Sequence, residues 1–170
     1  MTASRVIYLS LGSNVGDRAG QIARTVESLP ASGVRPLRQS SLYLTEPVGG
    51  IFQRPFLNAA LQAETPLMPL ELLHTLQRLE RALGRRPSVP QGPRSIDIDI
   101  LFYGTSVIRT PELEIPHPLI AQRRFVLVPL NEIAPDLRHP VLQRSIAELL
   151  GSTSDRSFVR LRRAGEEPAG

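Results

Sequence analysis

The sequence predicts an α+β domain: four principal strands in one sheet, two helices on one of its faces, and a C-terminal extension. Two observations predict it. Runs rich in β-branched or alternating apolar residues occur at 6–11, 34–44, 56–64 and 95–101. Between them, 18–29 and 69–83 repeat apolar residues at helical spacing. The order β-α-β-β-α-β is the ferredoxin-like plan. It leaves the second sheet face open, framed by the loops after the second and fourth strands.

The first strand, 6–11, is aliphatic and β-branched. Residues 12–18 read as a polar, glycine-bearing turn. That turn lacks both G-x-G-x-x-G and a Walker lysine, so its likeness to a phosphate loop is superficial. Asp17 is placed to cap a helix in which Ile22, Val26 and Leu29 recur. The second strand, 34–44, carries Pro36 near its start, which suits a sheet edge. A long loop rich in proline and glycine, 45–55, precedes the third strand.

Pro69 suits the first turn of the second helix, Leu72, Leu73, Leu76, Leu79 and Leu83 form its stripe, and Gly84 ends it. A basic, proline-rich loop, 84–93, feeds the fourth strand. Beyond it, Tyr103-Gly104-Thr105 is a turn, and His117 lies between two prolines in a stiff segment. Residues 125–130 are apolar enough to be core, 145–150 form a short helix, and 158–161 can add an edge strand.

Composition narrows the function. The chain of 170 residues fits one domain, 1–170, with a tail from 151 to 170. It has 41% hydrophobic and 21% charged residues, as ordinary globular proteins do. There is no long apolar run for a membrane and no signal-peptide pattern at the start, so the cytoplasm is the expected location. With no cysteine there is neither a disulfide framework nor a thiolate metal site. All 20 basic residues are arginine, so anions must be met by Arg, His or backbone N–H groups. A net charge of +4 is too small and too dispersed to argue for nucleic acid.

The chemistry concentrates in Gly92-Pro93-Arg94-Ser95-Ile96-Asp97-Ile98-Asp99-Ile100-Leu101. The alternation puts Ile96, Ile98 and Ile100 on one strand face and Asp97 and Asp99 on the other. Aspartate is a poor strand former, and two like charges at close range oppose each other's ionisation. A divalent cation removes both objections, since Mg²⁺ is held by one or two carboxylates with phosphate oxygens and water. Arg94 is placed to reach such a phosphate with its planar fork. The same pattern also fits a solvated strand face. Elsewhere, Phe56 and Asn58 share a strand face, an aromatic plane beside an amide able to read a ring edge. An ordinary core Phe and a solvated Asn fit equally. Glu80 lies off the apolar stripe of its helix, where solvent exposure is the simple reading.

Several motifs together resemble a known family. They are Tyr8-Leu9-Ser10-Leu11-Gly12-Ser13-Asn14, Phe56-Leu57-Asn58-Ala59-Ala60, Gln77-Arg78-Leu79-Glu80 with Gly84-Arg85, Gly92-Pro93-Arg94-Ser95-Ile96-Asp97-Ile98-Asp99, Ile115-Pro116-His117-Pro118 and Arg123-Arg124-Phe125. In this order and spacing they resemble the 6-hydroxymethyl-7,8-dihydropterin pyrophosphokinases of folate biosynthesis, over residues 6–150. The resemblance implies that ATP gives its β,γ-diphosphate to the pterin hydroxymethyl group, leaving AMP. It implies two Mg²⁺ ions on Asp97 and Asp99, with Arg85 and Arg94 steadying the triphosphate. Gln77, Glu80, Ile100, His117 and Arg123 match positions that hold ATP. Phe56 and Phe125 would sandwich the pterin, with Asn58, Asp97 and groups at Thr45, Pro47 and Val48 around it. The partners implied are the two small molecules, with no nucleic acid or membrane, and a monomer or weak homodimer.

The chain departs from that family in places. Gln91 stands where an aromatic residue often closes over the site. Pro87 replaces a second basic residue, for which Arg86 is the neighbouring substitute, and Pro90 stiffens the loop. Glu112 and Glu114 lie where some relatives place a basic residue or threonine. The expectation is that loop 84–93 closes with a weaker seal. Two rivals share parts of the pattern. Another D-x-D metal transferase would lack the Phe56/Asn58/Phe125 set. An RNA-binding module on the same kind of sheet would not carry two aspartates on a central strand.

Overall fold

The computed structural model describes residues 3–47, 53–84 and 95–163. Its main sheet has six strands: β1 (Arg5–Ser13), β2 (Arg35–Gln39), β3 (Tyr43–Thr45), β4 (Phe56–Thr65), β5 (Asp97–Tyr103) and β8 (Val159–Leu161). They run in the order β5-β1-β4-β3-β8, with β2 also on β4, and every pairing is antiparallel. A small hairpin joins β6 (Ile108–Arg109) and β7 (Glu114–Ile115). The helices are α1 (Arg18–Ser28), α2 (Pro69–Ala82), α3 (Arg124–Ile133) and α4 (Ile146–Ser152). Among the described residues no helix is long and apolar enough to cross a membrane.

The pleat divides the sheet. Ile7, Leu9 and Leu11 of β1, Leu57, Leu61 and Ala63 of β4, and Ile98 and Ile100 of β5 join one buried cluster with Ile22 of α1 and Leu72 and Leu76 of α2. Both helices start where the sequence expects. Asp17 accepts from the Gly20 N–H at 3.0 Å, and Pro69 opens α2 with Glu71 bonded back to the Met68 N–H at 3.0 Å.

The second face departs from expectation. It is not open, and helices do not lie on one face alone. Val126, Leu127, Leu130 and Ile133 recur at helical spacing, so the apolar run forms α3. With Ile146 and Leu149 of α4 it buries Ala60, Leu101 and Phe102. A register shift lets Leu9 pair with Ile100 and Tyr8 with Phe102, leaving Leu101 as an extra residue. This bulge turns both Leu101 and Phe102 towards α3 and α4. The α3–α4 cluster packs on the Tyr8–Phe102 end of the face, and the end carrying Gly12 lies beyond this apolar cluster.

Two strand boundaries also differ. β1 continues through Gly12 and Ser13, because both neighbours continue: Gly12 pairs with Asn58 and with Asp97. Ladder pairing here overrides a turn-like composition. The second strand is interrupted between β2 and β3, with a register shift at Pro36, which has no N–H to give the ladder. Ser40 bridges the gap, its N–H donating to the Ala60 carbonyl at 2.9 Å and its Oγ accepting from the Ala60 N–H at 2.8 Å. The edge strand expected near 158–161 is present as β8.

Candidate active site

Strand register assembles the polar end of the second face. Asp97, Gly12, Asn58 and Tyr43 are successive cross-strand partners on β5, β1, β4 and β3. Asp99 and Ser10 pair one step along, and Phe56 and Thr45 pair on the other side. Registered partners share a face, so the two aspartates and the Phe56/Asn58 set lie on one surface.

The Asn58 half is locked. Asn58 is 5% exposed and Thr45 1%. The Asn58 Nδ2 donates to the Thr45 Oγ1 at 2.6 Å. The approach to Phe56 is held from α1 and the turn before it: Asn14 Nδ2 donates to Gln53 Oε1 at 2.6 Å, and buried Arg18 donates to the Pro55 carbonyl at 2.8 Å. Phe56 itself is half-buried. Tyr43 donates to Glu132 of α3 at 2.5 Å, and burial, then that carboxylate, pushes its hydroxyl up to about 12.

The Asp97 half is more open. Asp97 and Asp99 are both half-buried, at i and i+2 on β5, which is an edge strand of the sheet and not the central strand expected, because it pairs with β1 alone among the described strands. Glu80 is not solvent-exposed: it is 4% exposed, and its Oε2 accepts from the Ile98 N–H at 2.8 Å, between the two aspartates. Gln77, one turn earlier on α2, is exposed. The Ile100 side chain belongs to the apolar core, which leaves its backbone for any ligand.

His117 is tied to β5 by its N–H, which donates to the Leu101 carbonyl at 3.0 Å. Its Nδ1 accepts from the Leu119 N–H at 3.2 Å, so the neutral ring carries its proton on Nε2. Burial first, then the Arg123 charge, push the imidazole down to about 4, and the Asp97 carboxylate opposes them. Asp97, His117 and Arg123 therefore share one local field. The Arg123 guanidinium lies 5.4 Å from the ring centre of half-buried Phe125, at the start of α3. Pro47 is half-buried just beyond Thr45. Arg85, Arg94 and Val48 lie outside the described residues, as do Gln91, Pro87, Pro90 and most of loop 84–93.

Among the described residues there is no cluster of three or more His, Cys, Asp or Glu side chains able to hold a metal. Two adjacent carboxylates are instead the donor set of a hard cation that completes its shell with phosphate oxygens and water.

The model of the 7,8-dihydro-6-hydroxymethylpterin-pyrophosphokinase family matches residues 8–135. The chain belongs to that family. A 2-amino-4-hydroxy-6-hydroxymethyldihydropteridine pyrophosphokinase of Aquifex aeolicus is 42% identical over 142 residues, covering 84% of this chain and 88% of that one. One of Methylorubrum extorquens is 47% identical over 131 residues, covering 76% and 83%. A folic acid synthesis protein of Pneumocystis carinii is 43% identical over 144 residues, but the match spans 85% of this chain and 20% of that protein. The solved wild-type HPPK-DHPS of Plasmodium falciparum with pteroate shares the fold at TM-score 0.72 and 18% identity, over 89% of this chain and 42% of that one. This chain thus corresponds to a fraction of some relatives and to nearly the whole length of others.

Sequence reasoning missed three supporting residues. Gly12 was expected in a turn, and Asn14 and Arg18 were given no role. The alternation Leu9, Leu11, Ser13 was the available signal that the strand runs on.

Proposed function

We propose that this chain transfers a pyrophosphoryl group from ATP to 6-hydroxymethyl-7,8-dihydropterin, giving AMP and the pterin diphosphate, as a step of folate biosynthesis in the cytoplasm. The observation that carries this reading is the row Asp97–Gly12–Asn58, which brings a ring-reading amide and a two-carboxylate set onto one sheet face. The strand order supports the ferredoxin-like plan for the core, if β2 and β3 are taken as one interrupted strand.

The pterin hydroxyl oxygen bonds to the β-phosphorus of ATP, and the bond from that phosphorus to the α,β-bridging oxygen breaks. AMP leaves with the bridging oxygen, and the hydroxyl proton is lost. Phe56 and Phe125 hold the ring by stacking, worth about 0.5–1.5 kcal/mol per pair beyond area burial. Asn58 and Thr45, with backbone at Pro47 and Val48, read its polar edge. Asp97 and Asp99 are the residues that would hold two Mg²⁺ ions, and bound magnesium neutralises charge on the phosphate oxygens. Gln77, Glu80 and the Ile100 backbone border the nucleotide. His117 donates its Nε2 proton to a phosphate as a neutral group, and Arg123 adds a fixed charge beside it. Arg85 and Arg94 supply guanidinium forks to the triphosphate.

A product assay tests the reading. The protein is mixed with Mg-ATP and 6-hydroxymethyl-7,8-dihydropterin, and the nucleotides are separated by chromatography. AMP formed in step with a diphosphorylated pterin, and only with pterin present, is the expected result. ADP would mean ordinary phosphoryl transfer, and no pterin-dependent turnover by folded protein would refute the substrate.

A further inference from the structure

Glycine inside a strand needs a reason, since it weakens pairing and packs nothing. Gly12 sits within β1, paired on both sides, and is absent from the positive-φ residues, so no backbone strain requires it. Its surroundings supply the reason. A Cβ at Gly12 would stand 2.6 Å from Asn58 Oδ1, well inside van der Waals contact, and 3.5 Å from Phe56 Cδ1. Asn58 cannot yield cheaply, because its Nδ2 is bonded to Thr45 Oγ1 at 2.6 Å and its side chain is buried.

We propose that Gly12 is a positioning residue for ring recognition: the space left by its missing side chain holds the Asn58 carbonyl oxygen, and Thr45 anchors the same amide from the other side. The amide is thereby fixed with one proton committed to Thr45, leaving its oxygen and second proton as an acceptor–donor pair. That pair matches the polar edge of a heterocycle carrying an N–H beside a ring acceptor. Because Gly12 also pairs with Asp97, the gap lies between the amide and the carboxylate strand. Any side chain there would drive Asn58 off Thr45 and leave two buried polar groups unpaired.

This inference rests on the pterin reading above. Its test is a double-mutant cycle on the full chain, with KM measured for each substrate. Gly12→Ala should raise the pterin KM about 10-fold or more while leaving the Mg-ATP KM within about twofold. In an Asn58→Ala background, where the obstructed group is gone, Gly12→Ala should add less than about twofold. Independent, multiplying losses, or equal losses for both substrates, would overturn the proposal. Should Gly12→Ala not fold, Thr45→Val frees the same amide from its other anchor and should give the same pterin-only loss. An unchanged pterin KM in that variant would overturn it too. Wild-type protein without pterin-dependent turnover would instead refute the functional reading itself.

Discussion

One face of the sheet presents Ile7, Leu9, Leu11, Leu57 and Leu61 to α1 and α2, and the other presents Tyr8, Ser10, Gly12, Phe56, Asn58 and Asp97. The strands are the same, and consecutive residues go to opposite surfaces. The first face is apolar and continuous from Ile7 to Leu11 and from Leu57 to Ala63. The second is apolar where α3 and α4 pack on Ala60, Leu101 and Phe102, and polar along the row Asp97–Gly12–Asn58–Tyr43. The difference teaches that a period of two keeps the groups that hold the fold apart from the groups proposed to act. It also makes register unforgiving, since a slip of one residue would exchange the two sets entirely.

The comparison predicts that substitutions on the two faces fail in different ways. On the polar face, Asp97→Asn or Asp99→Asn should lower turnover by about 10²–10³-fold or more, the scale of losing a preorganised electrostatic group. Thermal melting should barely move, because both carboxylates are partly solvated. Chromatographic AMP formation and a melting curve on the same sample check both halves. On the apolar face, Leu61→Ala should cost about 2–5 kcal/mol of stability in a denaturant titration, while turnover per folded molecule holds. If Leu61→Ala instead changed the pterin KM alone, the separation of faces would be wrong.

The acid response sharpens the boundary. His117 titrates near 4 in the folded chain against an ordinary 6.5. Below pH 6.5 the unfolded chain binds a proton that the folded chain refuses, so stability falls from there down to about pH 4. His117→Gln should flatten that part of the stability–pH curve, read by chemical denaturation at successive pH values. The smallest effect is expected at the join between faces and helices. Tyr43→Phe removes one hydrogen bond to Glu132 and should cost about 0.5–1.5 kcal/mol.

Much of this architecture was legible in the sequence, for reasons that can be named. The two helices of the first face follow local rules of capping and apolar spacing, and Asp17, Pro69 and Gly84 mark their ends as expected. The alternation Ile96-Asp97-Ile98-Asp99 was enough to place the isoleucines in the core and the aspartates on the half-buried face. What escaped depends on contacts distant in the chain. Glu80 looks solvent-bound on a helical wheel, and only the approach of β5 buries it against the Ile98 N–H. Gly12 looks like a turn until two neighbouring strands are seen to continue past it. The cover on the second face was missed because residues 125–130 announce burial but not which surface they bury.

The C-terminal strand has a consequence for how the protein is made. β8 pairs with β3, and the Phe158 N–H donates to Glu46, a residue 112 positions earlier, while Asp155 accepts from the backbone N–H of Arg124. The tail thus grips both flanks of the amide-and-ring pocket, next to Thr45 and next to Phe125. On the ribosome β5 can pair with β1 once residues 97–103 have emerged, whereas the outer edge of β3 stays unpaired until residues 159–161 follow. A long loop must close before that edge is complete, the slow kind of step in chain assembly.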